Sequence, residues 1–444
     1  MFSYDLRLAF DSLRRHPGLS ALMVLAIALG IAVCTITFTV YHAMATNPIP
    51  EKSDQLYAVT LDGWSPDRAY DEDQPGNPPQ LLTYRDAMYL YGAKAASRSV
   101  VMYKSGALLL PERAGVKPFI AVLRVTSHEF FPVFDVPFQY GRAWDAAADG
   151  GPQPVVVLSH ETNEKVFGGE DSVGRMVKLG KNDFRVVGVL QPWAPSPKFF
   201  DLNNGSFEDP EDAYLPYGWG RALEMPVYGN TNCWKAEGGD SYQDFLNSEC
   251  VWLQFWAELP TAADRDRYQA FLDNYARSQK AAGRMQRPLN NRLYDVEQWL
   301  DRNEVVQRDN RVLIGIALLF LGVCLVNVVG LLLAKFLNAA PQTGLRRALG
   351  ASRRDIVRQH MTEVLLIGLA GGVTGLLLAV AGLAGIRSIY GSDFNRGAYE
   401  RLTEIDPTVV LVTLALSLLA GAVAGLYPSW RIGRTAPAVY LKTQ

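Results

Sequence analysis

Net charge is the first thing this sequence lacks. Its 444 residues carry 43 Lys and Arg against 45 Asp and Glu, a formal net charge of -2, so no bulk polycation is available to hold nucleic acid. Histidine is scarce too, with five in the whole chain. His128 and His160 each sit in a Ser-His-Glu triplet, but Pro132 and Glu164 stand where a zinc-protease pattern needs its second histidine, which argues against a catalytic metal. Gly169 to Met176 has the spacing of a phosphate-binding loop, yet Arg175 and Met176 replace its Lys and its Ser or Thr, and a strand pattern follows where a helix is needed. No nucleophile turn and no evident acid and base pair stand out. The chain is expected to be non-catalytic.

What is abundant is apolar sequence in four nearly uncharged runs, Leu19 to Met44, Val312 to Ala334, Val364 to Ile386 and Val409 to Leu426. Each approaches the roughly 20 residues that an apolar helix needs to cross a bilayer. The first exceeds the roughly 7 to 15 apolar residues of a cleaved signal, so it is expected to remain as a span. None carries Asp, Glu, Lys or Arg near its centre, which argues against an ion-coupled pathway. Asn327 is the main polar exception, and an interhelical hydrogen bond is the expected reason. Gly368 with Gly372, Gly371 with Gly375, and Gly421 with Gly425 have the small-xxx-small spacing of close helix packing, within one chain or between two.

Basic residues cluster on one side of such a four-span layout. Arg7, Arg14 and Arg15 precede the first run; Lys335, Arg346, Arg347, Arg353, Arg354 and Arg358 lie between the second and third; Arg431, Arg434 and Lys442 follow the fourth. Positive residues stay inside, so both termini are expected there and the large segment between spans one and two outside. Cys233 and Cys250 fall in that outer segment, where a disulfide is allowed, whereas Cys34 and Cys324 read as small apolar residues within spans. Leu6, Ala9, Phe10 and Leu13 recur at helical spacing before His16-Pro17-Gly18, which suggests an interfacial helix or a simple extension of span one.

The outer segment alternates strands and helices. Val155 to Leu158 reads as a buried strand, Ser159 as the cap of a short helix, and Gly180 to Asp183 as a hairpin turn. A strand pair is expected around Val100 to Leu110. A helix from Leu293 shows no breaker before span two and would couple the outer domain rigidly to the membrane.

Between spans two and three, Leu345, Ala348 and Leu349 line one face of a short helix, flanked by Arg346 and Arg347 and ended by Gly350. Ser352 and Asp355 form a cap for the next helix. Arginines alone would serve as a membrane anchor. An apolar ridge suggests, in addition, a socket for a partner.

The segments "LAFDSLRRHPGLSALMVLAIALGIAV", "GLRRALGASRRDIVRQHMTEVLLIGLAGGVTGLLL" and "GLYPSWRIGRTAPAVYL" resemble the permease subunits of MacB- and FtsX-type ABC transporters, which include the lipoprotein-releasing permeases. "VTSHEFFPVFDVPFQYGRAW", "VVVLSHETNEKVFGGEDSVGRMVKLGKNDFRVVGVL" and "DAYLPY" are similar to the periplasmic core of the same proteins. The resemblance implies an α-helical membrane protein with four transmembrane helices and an extracytoplasmic α+β domain of two lobes inserted between helices 1 and 2. The implied layout is an interfacial helix over 1–18, spans over 19–45, 311–335, 361–387 and 407–428, and a periplasmic domain over 46–310. One lobe would comprise about 50–115 and 250–300, and the inserted lobe about 120–220. A cytoplasmic coupling loop would occupy 336–360, a short periplasmic loop 388–406 and a cytoplasmic tail 429–444.

It further implies a bacterial inner-membrane protein working as a dimer with a second copy or a paralogue. A separate cytoplasmic ABC ATPase would bind ATP and magnesium and dock on Gly344, Leu345, Arg346, Arg347, Ala348, Leu349, Gly350, Ser352 and Arg353. No cofactor is expected in this chain, and a periplasmic adaptor is a possible further partner. The output would be export or extraction of a substrate, or else the switching of a periplasmic enzyme. Pro341, Gln342 and Thr343 depart from the acidic residue and Ile that often precede this Gly, and the loop around Cys233 and Cys250 has no counterpart in the resemblance.

Overall fold

The computed structural model of the protein describes residues 2–111, 113–151, 153–235, 238–390 and 396–434. Lys442 and the rest of the expected tail beyond Arg434 lie outside the described residues, as does part of the expected loop over 388–406. The chain forms two compact units, Thr46–Val305 and the combination of Met1–Ala45 with Val306–Gln444.

In the helical unit, Phe2–Arg15 is a helix that ends at His16. Pro17 lacks the N–H that would continue it and instead opens the next helix, Pro17–Ala45. With Arg308–Asn338, Arg353–Tyr390 and Pro407–Gly433, this makes four helices among the described residues long and apolar enough to cross a membrane. Met23, Ile27, Ile31, Leu321, Val328, Val364 and Ala424 interlock between them as a buried core. The glycine pairs bring the backbones together within this one chain. A Cβ at Gly368 would lie 3.2 Å from the Gly421 Cα, and one at Gly425 would meet Val364, so this row seats span three on span four. A Cβ at Gly371 would meet Ile27, and one at Gly375 would lie 2.9 Å from the Ala28 carbonyl, so the next row of span three seats it on span one.

Asn327 departs from expectation. Its side chain is exposed on span two and has no hydrogen-bond partner among the described residues. Span two buries only 22% of its apolar window, against 39% or more in the other three, so the position that would need a neighbouring helix has none among the described residues.

The other unit is built on one eleven-stranded sheet. Its strands are β1 (Leu56–Thr60), β2 (Leu82–Thr83), β3 (Arg98–Leu110), β4 (Phe119–Thr126), β5 (Phe138–Gly141), β6 (Val155–Leu158), β7 (Met176–Leu179), β8 (Asn182–Leu190), β9 (Ala213–Pro216), β10 (Val251–Glu258) and β11 (Arg292–Asp295). They run in the order β11-β1-β10-β3-β4-β9-β6-β8-β5, with β2 beside β10 and β7 beside β3 and β8. Neighbours are antiparallel except β4 with β9 and β6 with β8. Strands from residues 56–110 and 251–295 form one end and those from 119–216 the other; they join where β3 pairs with β4 from Met102↔Thr126 to Leu109↔Phe119.

Alternation puts Val101, Tyr103, Phe255 and Ala257 into one core and Val100, Met102 and Trp256 into the other, on opposite faces of the sheet. Both faces are covered, which is why all eight residues of β10 are buried. β3 is a single strand of 13 residues, not the expected pair: Gly106 continues the strand, and the ring of Tyr228 lies over it in place of a side chain.

The expected unbroken helix into span two is also absent. Val296–Arg302 ends at Asn303, whose backbone N–H and side-chain amide both donate to the Trp299 carbonyl, at 3.1 and 2.8 Å. Glu304 then takes a left-handed φ of 47°, and the Val305 N–H closes onto the Leu300 carbonyl at 3.2 Å. Val305 is buried against the core that holds Val296 and Trp299, so apolar burial draws the chain off the helix axis. The next helix starts at Arg308.

Candidate partner-docking site

The basic connection between spans two and three folds as a helical hairpin. Ala340–Ala348 is a helix whose Thr343 and Gly344 are buried against the bundle. Three residues on its other side are exposed: Leu345 at 55%, Leu349 at 80%, and Ala348 between them. An apolar ridge standing out beside arginines costs free energy in water, and no described residue of the helical unit covers it.

The turn explains the rigid placement of that ridge. Gly350 has a φ of +104°, a conformation that L side chains rarely adopt, and the Ala351 N–H reaches back to the Arg346 carbonyl at 3.1 Å. Ser352 and Asp355 then cap the helix of span three reciprocally: each backbone N–H donates to the other's side chain at 3.2 Å. Arg346 is turned inward, donating from Nη1 to Gln359 Oε1 at 2.7 Å, whereas Ser352 and Arg353 are exposed. Of the expected docking residues, the structure therefore presents Leu345, Ala348, Leu349, Gly350, Ser352 and Arg353 outward. Gly344 and Arg346 serve the hairpin's own attachment, and Arg347 is half-buried.

Beneath the hairpin lies an ion pair that sequence reading missed. Lys335 Nζ, at the end of span two, is 2.5 Å from Glu363 Oε1, at the start of span three, and both side chains are almost wholly buried. Ser12 Oγ of the N-terminal helix donates to the same oxygen at 2.8 Å, and Lys335 also reaches Ser20 Oγ at 3.4 Å. Four helical segments are thus tied to one buried charge pair. The available signal was one opposite charge on each flank of the hairpin inside otherwise apolar sequence, "LLLAKFL" and "HMTEVLL".

In the sheet unit, Cys233 and Cys250 form a disulfide. It fastens the loop ahead of β10, where Asn232 and Val251 also form a two-residue bridge and Trp234 packs against Trp64, Leu81 and Val251. Sequence reading found no acid and base pair, yet the fold makes one: His128 Nδ1 lies 2.6 Å from Asp149 Oδ2. The two residues are 21 apart, and only the return of the chain after β4 brings them together. His160 hydrogen-bonds Gln139 at 2.9 Å instead.

Comparison with known proteins identifies both units. Residues 20–273 match the family model of the MacB-like periplasmic core domain, and residues 314–437 match that of the FtsX-like permease C-terminal region. Among curated proteins, the chain is 24% identical to a macrolide export ATP-binding/permease protein MacB of Bdellovibrio bacteriovorus, over 74% of this chain and 43% of that one. It is 25% identical to a pyoverdine export ATP-binding/permease protein PvdT of Pseudomonas syringae pv. tomato, over 71% and 42%. A MacB protein of Paracoccus denitrificans is 23% identical over 98% of this chain and 58% of its own length. The chain thus spans about half the length of the curated relatives it matches. Among solved structures, the periplasmic region of MacB from Actinobacillus actinomycetemcomitans superposes with a TM-score of 0.37 at 15% identity, covering 58% of this chain and 95% of that one.

Proposed function

The chain belongs to the family of MacB- and FtsX-like ABC-transporter permeases, membrane proteins with a periplasmic domain, and on that premise we propose that it converts ATP hydrolysis by a partner ATPase into motion of that domain. The motion would export or extract a substrate on the periplasmic side. The observation that carries this reading is the uncovered ridge of Leu345, Ala348 and Leu349, held at a fixed angle by Gly350 and the Ser352 cap. A ridge of that kind fits an apolar socket on a cytoplasmic protein, and the neighbouring arginines fit an acidic rim.

The ATPase, with its ATP and magnesium, is assigned to a separate chain, although the relatives' names join ATP-binding and permease functions in one protein. In this reading both termini are cytoplasmic, the membrane is the bacterial inner membrane, and the two ends of the periplasmic sheet act as two lobes. The buried Lys335–Glu363 pair fits a rigid base that passes hairpin movement to spans two and three together. Because the helix breaks at residues 303–307, movement would reach the periplasmic domain through a jointed connection.

A second copy or a paralogue is proposed to cover span two, where Gly315, Gly322 and Gly330 have open space around them and Asn327 has no partner among the described residues. A periplasmic adaptor would be a further partner.

The test is co-purification with candidate ABC ATPases co-expressed with this chain, comparing wild type with a variant carrying Leu345→Asp and Leu349→Asp. Retention by the wild type and loss in the variant is the expected result. Equal retention of both would reject the docking site. Capture of a cell-wall hydrolase in place of an adaptor or outer-membrane channel would favour enzyme switching over export.

A further inference from the structure

A cleft of about 800 Å³ opens in the periplasmic domain between elements drawn from the two ends of the sheet. Its walls are Tyr84, Met88 and Tyr91 of the helix Tyr84–Ala93 on one side and Tyr217 and Arg221 of the helix Tyr217–Ala222 on the other. The volume lies within the about 300 to 1,000 Å³ typical of small-molecule sites. The rings are held before any ligand arrives: Tyr84 stacks on Trp252 with centroids 6.3 Å apart, and Tyr217 meets Tyr103 edge-on at 6.4 Å.

The polar groups of the cleft divide into committed and uncommitted ones. Asp149 is saturated, accepting from the His128 backbone N–H at 2.9 Å, His128 Nδ1 at 2.6 Å, the Tyr91 hydroxyl at 3.0 Å and Trp144 Nε1 at 2.9 Å. That arrangement fixes the imidazole and leaves its Nε2 3.5 Å from Glu129 Oε1. Arg98 is neutralised by Glu129 and Glu258, at 3.3 Å each. Lys94 and Arg221, in contrast, have no side-chain hydrogen bond or ion pair among the described residues, although both line the cleft. The cleft therefore joins an aromatic interior to two uncompensated positive charges.

We propose that this cleft binds an amphipathic organic anion, with an apolar or aromatic body against Tyr84, Met88, Tyr91 and Tyr217 and a carboxylate or phosphate held by Lys94 and Arg221. Aromatic faces with few, well-placed polar groups select shape, and the two cations select charge. Cations of the same size are repelled. The proposal does not depend on ATPase docking, so either can fail alone.

Dansylglycine, dansylamide and dansylcadaverine share one fluorophore and are anionic, neutral and cationic. Each is titrated into the full chain in non-ionic detergent, with binding read by fluorescence anisotropy. The anion is expected to bind about tenfold or more tighter than the cation, as loss of a charge-assisted contact implies. Binding of the anion should fall by a similar factor in the variant carrying Lys94→Asn and Arg221→Glu, where asparagine suits the left-handed backbone of residue 94. Met88→Trp should fill the cleft and abolish binding with the charges intact. Displacement by naphthylacetate or by naphthyl phosphate identifies the preferred anionic group, and displacement by neither counts against the site. Equal binding of anion and cation overturns the proposal, as does no binding at about 1 mM, or binding unchanged in both variants while their thermal unfolding matches wild type.

Discussion

Individual charges in this protein take their meaning from what surrounds them. Arg124 on β4 is fully buried between Asp201 and Glu211, and Lys198 adds a second cation 2.8 Å from Glu211. Burial works against the charge on Glu211, but Arg124 and Lys198 outweigh it and hold the carboxyl down to about 2. Burial likewise opposes the charge of Arg124, and its two carboxylate neighbours prevail. Arg124→Met would leave Asp201 and Glu211 facing each other without that cation, an arrangement expected to cost about 3 to 5 kcal/mol. Chemical denaturation of the variant is the check, and a loss below about 1 kcal/mol would show that Lys198 suffices. Because the folded pKa of Glu211 lies below its ordinary value, its stabilisation is present above about pH 4.5 and is lost as pH falls toward about 2. Acid unfolding followed by tryptophan fluorescence should show that dependence in wild type and lose it in Glu211→Gln. None of these partners could be paired from sequence, since 77 residues separate Arg124 from Asp201 and 87 separate it from Glu211.

At the scale of elements, local sequence was a good guide wherever a local interaction ends or starts the element. Ser159 caps the helix His160–Phe167, accepting from the Thr162 N–H, and Gly168 ends it in the left-handed region. Ser352 and Gly350 do the same work in the hairpin between spans two and three. The element reading failed where a distant contact decided the outcome: Val305 found a core position and broke a helix that propensity alone would have continued. Small residues show the same limit. Their spacing announced close packing, but only the fold shows that Gly372 lies against Ser417 and Gly375 against the Ala28 carbonyl. Gly372→Leu therefore has no space between spans three and four. It is expected to lower the melting temperature of the purified chain and its membrane yield, and Gly322→Leu, at a position with open surroundings, to lower neither in the monomer.

For the whole molecule, span two carries the main unfinished business. It is the least buried of the four spans, and its Asn327 has no partner among the described residues. An amide facing lipid is costly, so a second membrane helix with a hydrogen-bonding side chain is the natural cover. In the proposed dimer, Asn327→Leu is expected to shift the purified protein toward monomer by about tenfold in dissociation constant, at the upper end of such bonds. Single-molecule photobleaching in lipid nanodiscs reads that shift. An unchanged dimer fraction would place the contact elsewhere.

Sequence by itself determined the four apolar helices, the basic character of one end, the alternation of strands and helices in the periplasmic domain, and the family. All of these rest on residues near one another in the chain, through hydropathy, capping and motif spacing. Tertiary structure alone decided which charges neutralise one another, where the helix before span two stops, and that Arg346 turns inward while Leu345 and Leu349 stand out. It also made the aromatic cleft and its His128–Asp149 pair. The physical reason is the same in each case: burial and pairing depend on partners that only the folded chain brings within reach.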